Sequence, residues 1–304
     1  MNSAQADAYL RRIEAARPRR PTAEALRDLH LRHLRTVPFE NLSIHLGEEI
    51  VLEEERLLDK VVGRRRGGFC YELNGAFGAL LTALGYEVAL LAGRVYGNEG
   101  RLGIPYDHLA LRVRTADGAD WLADVGFGAH SHFPLALAER GGQADLSGTY
   151  RVREAGPDPA GVTGAAADRA AATEGRVAAT EGRVAATGAG AGPAGGADLD
   201  VLRDGRAQYR LETRPRVLAD FTGGAWWHST SPHSHFTRSL VCSRVNDDAG
   251  RITLSGRALT LTTPIGEKET RELGTDEEVL AVYRERFGIE LAAVPAVRQP
   301  SRTA

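Results

Sequence analysis

A lone cysteine, Cys70, opens an apolar, helix-forming run (Cys70 to Leu84) directly after two glycines and an aromatic residue, in the segment R-G-G-F-C-Y-E-L-N from Arg66 to Asn74. The first-turn N–H groups of a helix have no intrahelical partner and carry about half a positive charge, so a sulfur placed there favours thiolate over thiol. Gly67 and Gly68 let the backbone enter by a tight turn and leave room for a substrate carbonyl beside the sulfur. A small buried hydrophobe is the bland reading of the same residue. A nucleophile needs a base held by a third group, and such partners are usually distant in sequence. Y-D-H-L-A-L-R-V (Tyr106 to Val113) alternates apolar and polar residues like a half-buried strand and carries His108. W-L-A-D-V-G-F-G (Trp121 to Gly128) sets Asp124 among Leu122, Ala123 and Val125. An isolated acid in an apolar strand is costly to bury, so Asp124 asks for a partner and His108 is the candidate.

The hairpin between these strands must bring both side chains to one face. Facing residues of an antiparallel pair have a constant index sum, and a one-residue slip reverses every face. A plain two-residue Asp117-Gly118 turn pairs Leu111 with Asp124 and sends His108 to the opposite face. A working pair therefore requires a three- or five-residue loop, or a one-residue bulge in which Gly118 is the left-handed residue. Asp124 then lies opposite Ala110 or Arg112.

Five segments, in order, now carry a resemblance: P-F-E-N-L (Pro38 to Leu42), R-G-G-F-C-Y-E-L-N, D-H-L-A-L-R-V, D-V-G-F-G (Asp124 to Gly128) and T-S-P-H-S-H-F (Thr230 to Phe236). Together they resemble the arylamine N-acetyltransferases, over nearly the whole chain except about residues 155 to 200. The resemblance implies that Cys70, His108 and Asp124 form a catalytic triad. It also implies acetyl-CoA as the acyl donor and a small arylamine or hydrazine as acceptor, with no metal or prosthetic group. Phe39, Val95 and Phe127 match apolar positions of the acceptor pocket, and Thr230, Ser231 and Ser234 match a segment near the CoA phosphates. Such an enzyme loads the thiolate from the thioester, releases CoA and passes the acetyl group to the amine with ping-pong kinetics. Arg66 and Glu72, flanking the cysteine, read as a structural ion pair or cap. Two other activities share the triad: an amide synthase that releases a polyketide chain as a macrolactam, and a thiol hydrolase or transglutaminase-like enzyme. A non-catalytic binding module is disfavoured because all three triad residues are present.

The elements that must position these residues fall into three blocks. Residues 1–85 predict a helical bundle: Ala6 to Ala15, Ala23 to Arg35 behind a Thr22 cap, Glu53 to Val62, and the cysteine helix. Residues 86–211 are strand-rich, with Asp117-Gly118 and Asp204-Gly205 as turn signals, and close naturally as an antiparallel β-barrel. Residues 212–304 hold strands near Leu240 to Val245, Arg251 to Leu254 and Ala258 to Thr263, then a helix, Asp276 to Phe287, between Thr275 and Gly288. The whole is an α+β fold, and the resemblance implies an α/β lid for the last block and a cysteine-protease-like core. Within the barrel region, 156–198 has no aromatic residue and repeats A-A-T-E-G-R-V, one valine and one glycine per repeat. That pattern is too poor for a coiled coil and predicts a flexible loop.

Composition agrees with an enzyme of this kind. The chain has 304 residues, 42% hydrophobic and 26% charged, with a formal net charge of −2, so no basic excess points to nucleic acid. No apolar run approaches ~20 residues and no charged-then-apolar leader opens the chain, so a cytoplasmic protein with no membrane partner is expected. The composition does not indicate an oligomeric state. Two cysteines do not make a disulfide framework, and Cys242, in S-L-V-C-S-R-V, reads as core. His30 and His33 lie at helical spacing and read as packing or surface residues; His233 and His235 sit in a Ser/Pro loop, and no metal-ligand spacing occurs.

Overall fold

The computed structural model describes residues 1–97, 100–128, 131–156 and 197–297. Helices α1 (Ser3–Arg12) and α2 (Ala23–Thr36) start at side-chain caps, Asn2 accepting from the Gln5 N–H and Thr22 from the Ala25 N–H. A two-residue strand, β1 (Phe39–Glu40), and short helices α3 (Leu42–Leu46) and α4 (Glu54–Leu58) follow. The helix expected from Glu53 to Val62 continues beyond α4 only as a π turn, Asp59–Gly63. Helix α5 (Cys70–Ala83) is buried along its whole first half, from Cys70 to Gly78. A helix so apolar is stable only inside a core, and α5 lies between the other helices and the barrel wall.

That wall is one antiparallel sheet of β2 (Glu87–Val95), β3 (His108–Arg114), β4 (Asp120–Ala123), β5 (Leu135–Ala136), β6 (Gln143–Asp145), β7 (Gly148–Glu154), β8 (Leu199–Arg203) and β9 (Arg206–Arg216). Its order is β5-β4-β3-β2-β9-β8-β7-β6. The edge strands meet through one side chain. Gln143 Oε1 accepts from the Ala136 N–H at 2.7 Å and its Nε2 donates to the Ala136 carbonyl at 3.0 Å. An amide thus stands in for a backbone rung, covers two strand edges and nearly closes the barrel.

Helices α6 (Thr222–Thr230) and α7 (His235–Arg238) lead to β10 (Cys242–Val245), β11 (Arg251–Ser255), β12 (Ala258–Thr262) and β13 (Lys268–Glu272), then α8 (Asp276–Phe287). The second sheet runs β1-β10-β11-β12-β13, so a strand from the start of the chain edges a sheet otherwise built from its end. Phe39 pairs with Ser243 and Glu40 with Cys242. Cys242 is buried with Leu254 and Tyr283, and burial pushes its thiol well above its ordinary value, as a core cysteine requires. The fold is α+β, the class the sequence predicts. Among the described residues no helix is long and apolar enough to cross a membrane.

The flexible loop expected at 156–198 falls almost wholly on residues 157–196, outside the described residues. Its flanks are a ladder: Glu154 faces Leu199, and the Ala155 N–H donates to the Asp198 carbonyl at 2.7 Å. Facing residues of such a ladder stand about 5 Å apart, so a turn of about four residues can rejoin them. Replacing 157–196 by such a turn is expected to change unfolding free energy by less than about 1 kcal/mol, because so few apolar side chains are removed. Urea denaturation of the shortened chain checks this. A loss of several kcal/mol would mean that the segment packs against the body.

Candidate active site

The β3–β4 hairpin has the register on which the chemistry depends. Leu111 faces Ala123 and Arg114 faces Asp120, and the Thr115 N–H donates to the Ala119 carbonyl at 3.0 Å. The connection is therefore the three residues Ala116 to Gly118, with Gly118 at φ +85° in the left-handed region. The same register sets Asp124, one residue past β4, opposite Ala110. Both side chains then reach one face: His108 Nε2 lies 2.7 Å from Asp124 Oδ2, and both residues are buried.

Cys70 is the first residue of α5, and its sulfur interacts with the His108 ring. With Nε2 committed to Asp124, Nδ1 is the nitrogen left to face the thiol. Asp124 is fully engaged. Oδ1 accepts from Asn74 Nδ2 at 2.9 Å and from the Gly126 N–H at 3.0 Å, while Oδ2 also accepts from the Tyr209 hydroxyl at 3.0 Å. Asn74, one turn beyond Cys70 on α5, donates to the Leu109 carbonyl at 2.6 Å and accepts from the Val125 N–H at 3.0 Å. One amide thus fixes the cysteine helix to both strands that carry its partners.

Burial works against a charged His108, but the charge of Asp124 and hydrogen bonds to Asp124 and Cys70 overcome it and push its pKa up to about 10. A group raised from its ordinary 6.5 in this way stabilises the fold fully below pH 6.5, and that contribution is lost as pH rises through about 10. Unfolding free energy, measured by urea denaturation across this window, is expected to fall with pH in the native chain and to fall less steeply in His108→Gln. Equal slopes would place the imidazolium elsewhere.

His30, read from the sequence as packing or surface, is buried and supports Asp124 from behind: its Nε2 accepts from the Asp124 N–H at 3.1 Å. Its Nδ1 donates to the His132 carbonyl at 2.9 Å. Burial holds its pKa down at about 4, which keeps Nε2 free to accept. Tyr209, on β9, carries no motif that marks it in the sequence. Asn74 could be found, because i and i+4 share a helix face and both residues lie in the motif around Cys70.

The glycines beside the cysteine clear space for protein and not for a substrate carbonyl. A Cβ on Gly67 would fall 1.8 Å from the Pro38 carbonyl oxygen of the chain entering β1. On Gly68 it would fall 2.5 Å from Glu72 Oε2, the carboxylate that accepts from the Phe69 N–H at 3.2 Å. Glu72 also pairs with Lys60 at 2.5 Å, and Arg66 pairs with Glu40 at 3.0 Å, so each charge flanking Cys70 has its own structural partner. Gly126 approaches Cys70 closely, since a Cβ there would stand 2.7 Å from Cys70 Cα and 3.0 Å from its carbonyl oxygen. Gly126→Ala is expected to cost about 2 kcal/mol or more of stability, the scale of overpacking, and to lower activity by moving Asp124. Thermal unfolding together with initial rates checks it. An unchanged midpoint and rate would show that the two segments part easily.

The Phe127 ring meets His108 edge-on, with centroids 5.2 Å apart, and Tyr209 at 4.9 Å. Val95 packs with Phe127 on the barrel's apolar cluster, and Phe39 lies near Gly128 and Phe236. Thr230 ends α6 exposed, its hydroxyl donating to the Trp226 carbonyl, and Ser231 follows half-buried. Ser234 differs: it is fully buried, its Oγ accepts from the Phe236 N–H to cap α7, and it lies 3.3 Å from His228 Nδ1. His233 and His235 are not part of this group. Among the described residues no three His, Cys, Asp or Glu side chains are grouped to hold a metal ion.

Comparison with known proteins agrees with this geometry. An N-acetyltransferase family model matches residues 22–296. The chain is 32% identical to the arylamine N-acetyltransferase of Mycolicibacterium smegmatis over 289 residues, 93% of this chain and 91% of that protein. Identity to the Escherichia coli arylamine N-acetyltransferase is 29% over 282 residues, 92% and 87% of the two chains. The solved structure of the Salmonella typhimurium enzyme superposes with a TM-score of 0.77 at 27% identity, covering 99% of this chain and 97% of that one. That of Mycobacterium marinum arylamine N-acetyltransferase in complex with CoA superposes with a TM-score of 0.73 at 31% identity, covering 93% and 92%. A match over nearly the whole length, with Cys70, His108 and Asp124 gathered at one point, leaves one assignment: the chain belongs to the arylamine N-acetyltransferases, a family of acyltransferases.

Proposed function

We propose that this chain transfers the acetyl group of acetyl-CoA to arylamines and arylhydrazines through an acetyl-thioester on Cys70. The observation that carries the reading is the 2.7 Å contact of His108 with Asp124, beside a cysteine at a helix N-terminus. His108 takes the thiol proton, and Asp124, held by Asn74, Gly126 and Tyr209, keeps the imidazolium in place. The thiolate adds to the thioester carbonyl, the bond to the CoA sulfur breaks, and CoA leaves with the proton from His108. An arylamine nitrogen is weakly basic, stays unprotonated at neutral pH and attacks the acetyl-cysteine, giving its proton to His108 as Cys70 departs.

Phe127, edge-on to His108, is the proposed wall of the acceptor site, with Val95 on the same apolar cluster and Phe39 beside Phe236 as its further apolar residues. The CoA bound to the Mycobacterium marinum relative supports CoA as the carrier here. Thr230 and Ser231 are proposed to meet its phosphates; the hydroxyl of Ser234 is committed to the α7 cap and has no exposed atom to offer. A thiol nucleophile works in a reducing compartment, which fits a cytoplasmic setting, and both cysteines are free.

Intact-mass measurement after mixing with acetyl-CoA tests the proposal. A gain of about 42 Da, mapped to Cys70 and discharged by an aniline, is the covalent intermediate required. No adduct from acetyl-CoA, but loading from a carrier-bound acyl chain, would shift the reading to a macrolactam-forming amide synthase. Discharge to water at the same rate with or without amine would indicate a hydrolase.

A further inference from the structure

A cavity of about 520 Å³ lies between the barrel and the second sheet, and none of Cys70, His108 and Asp124 lines it. Its described lining includes Arg203, Arg251 and Lys268 with the hydroxyl residues Ser147, Thr253 and Thr262, and no Asp or Glu. Like charges around one cavity repel one another, so the arrangement is costly as it stands. Arg251 shows the imbalance most clearly. Its NH1 group donates to Ser243 Oγ at 3.1 Å, and no carboxylate among the described residues pairs with it. Burial pushes its guanidinium down to about 10, and Arg203 adds to the fall. Lys268, exposed on β13, also has no ion-pair partner among the described residues, and Arg203 has the carboxylate of Asp204 at 3.7 Å. The nearby Asp145 does not offset the set. It is committed to the His132 ring at 2.8 Å, to the His132 N–H at 2.9 Å and to Ser147.

We propose that this cavity is an oxyanion site, separate from the donor and acceptor sites, that takes a phosphate group between Arg251, Arg203 and Lys268. A guanidinium supplies paired, planar donors to two oxygens of a phosphate, an ammonium adds a mobile third contact, and hydroxyls complete the shell. The ligand is either inorganic phosphate or a small phosphate monoester, which share this chemistry.

Calorimetric titration of the full chain at constant ionic strength, in a chloride buffer free of phosphate, tests it. Inorganic phosphate is expected to bind one saturable site, weakened about tenfold or more in Arg251→Gln and in Lys268→Gln. Arg251→Gln removes a charge without a carboxylate partner, so the free variant is expected to unfold at the same or a higher temperature. Should it fail to fold, the exposed Lys268→Gln still decides the matter. Glycerol phosphate binding more tightly than inorganic phosphate would identify a monoester as the ligand, and the reverse would identify the free ion. No saturable heat, or equal affinity in the native chain and Lys268→Gln, overturns the proposal. Displacement of phosphate by CoA also overturns it, since the cavity would then belong to the acyl donor.

Discussion

Cys70→Ser leaves the chain folded and lowers kcat/KM for acetyl transfer by about four to six orders of magnitude, the scale seen when a triad nucleophile is lost. The substitution changes volume little inside the α5 start, where Phe69, Tyr71 and Leu73 are all fully buried. What it removes is ionisation. His108, raised to about 10 by Asp124 and Cys70 against the burial that would lower it, is poised to take the proton of a thiol and is a poor match for the far less acidic hydroxyl. Circular dichroism and initial rates on the same preparation separate folding from chemistry. Activity above about 1% of the native rate would break the assignment of Cys70 as nucleophile. So would an acetyl group found on Cys242, which has no exposed surface.

Asp124→Asn is expected to lower kcat/KM by about three to four orders of magnitude, through a tautomer and not through distance. Donors approach both oxygens: Asn74 and the Gly126 N–H at Oδ1, His108 and the Tyr209 hydroxyl at Oδ2. An amide must turn its NH2 toward one of these pairs. The Gly126 N–H cannot reverse, whereas the imidazole and the hydroxyl can. The NH2 therefore faces His108, whose Nε2 becomes the acceptor and whose Nδ1 carries the proton. That ring cannot take the proton of Cys70. The mutant is expected to lose acetyl loading over the whole pH range and to need alkaline pH for any residual alkylation of Cys70 by iodoacetamide. A native alkylation profile in Asp124→Asn would show that the carboxylate does not govern the ring.

The parts of the site that lie within single segments were legible in the sequence, because each is a local problem. Thr22 and Thr275 cap the helices they precede, and Asp204-Gly205 is a two-residue turn, with Arg203 facing Arg206 and Asp204 at φ +50° and Gly205 at φ +78°. The parity argument left a three-residue loop, a five-residue loop or a bulge, since side-chain faces follow from counting alone, and the structure has the first of these. Four short or polar strands did not show. Phe39–Glu40, Leu135–Ala136 and Gln143–Asp145 are too short for a period, and the exposed K-E-T-R-E of β13 has no apolar face to alternate. The support of Asp124 by Tyr209 and His30 was hidden for another reason. Each arrives from an element far away along the chain, and only closure of the barrel and docking of α2 bring them near. The role given to Gly67 and Gly68 failed because a sequence shows where backbone can approach closely but not what approaches it.

The pairing of Phe39 with Ser243 spans two-thirds of the chain, and Asn41 reinforces it by donating to the Ser239 carbonyl at 2.6 Å and accepting from the Val241 N–H at 2.9 Å. During synthesis, β1 leaves the ribosome long before β10 exists, and until then the stretch that carries Phe39 has Gly68 to pair with, through the Phe39–Gly68 bridge and the Glu40 N–H donating to the Gly68 carbonyl at 2.8 Å. The segment that enters the helix of Cys70 thus holds β1 before the other strands of the second sheet exist. The same two-residue strand is therefore tied both to the entry of the Cys70 helix and to β10, so the last strands of the chain to be made complete a pairing that begins two residues before Cys70.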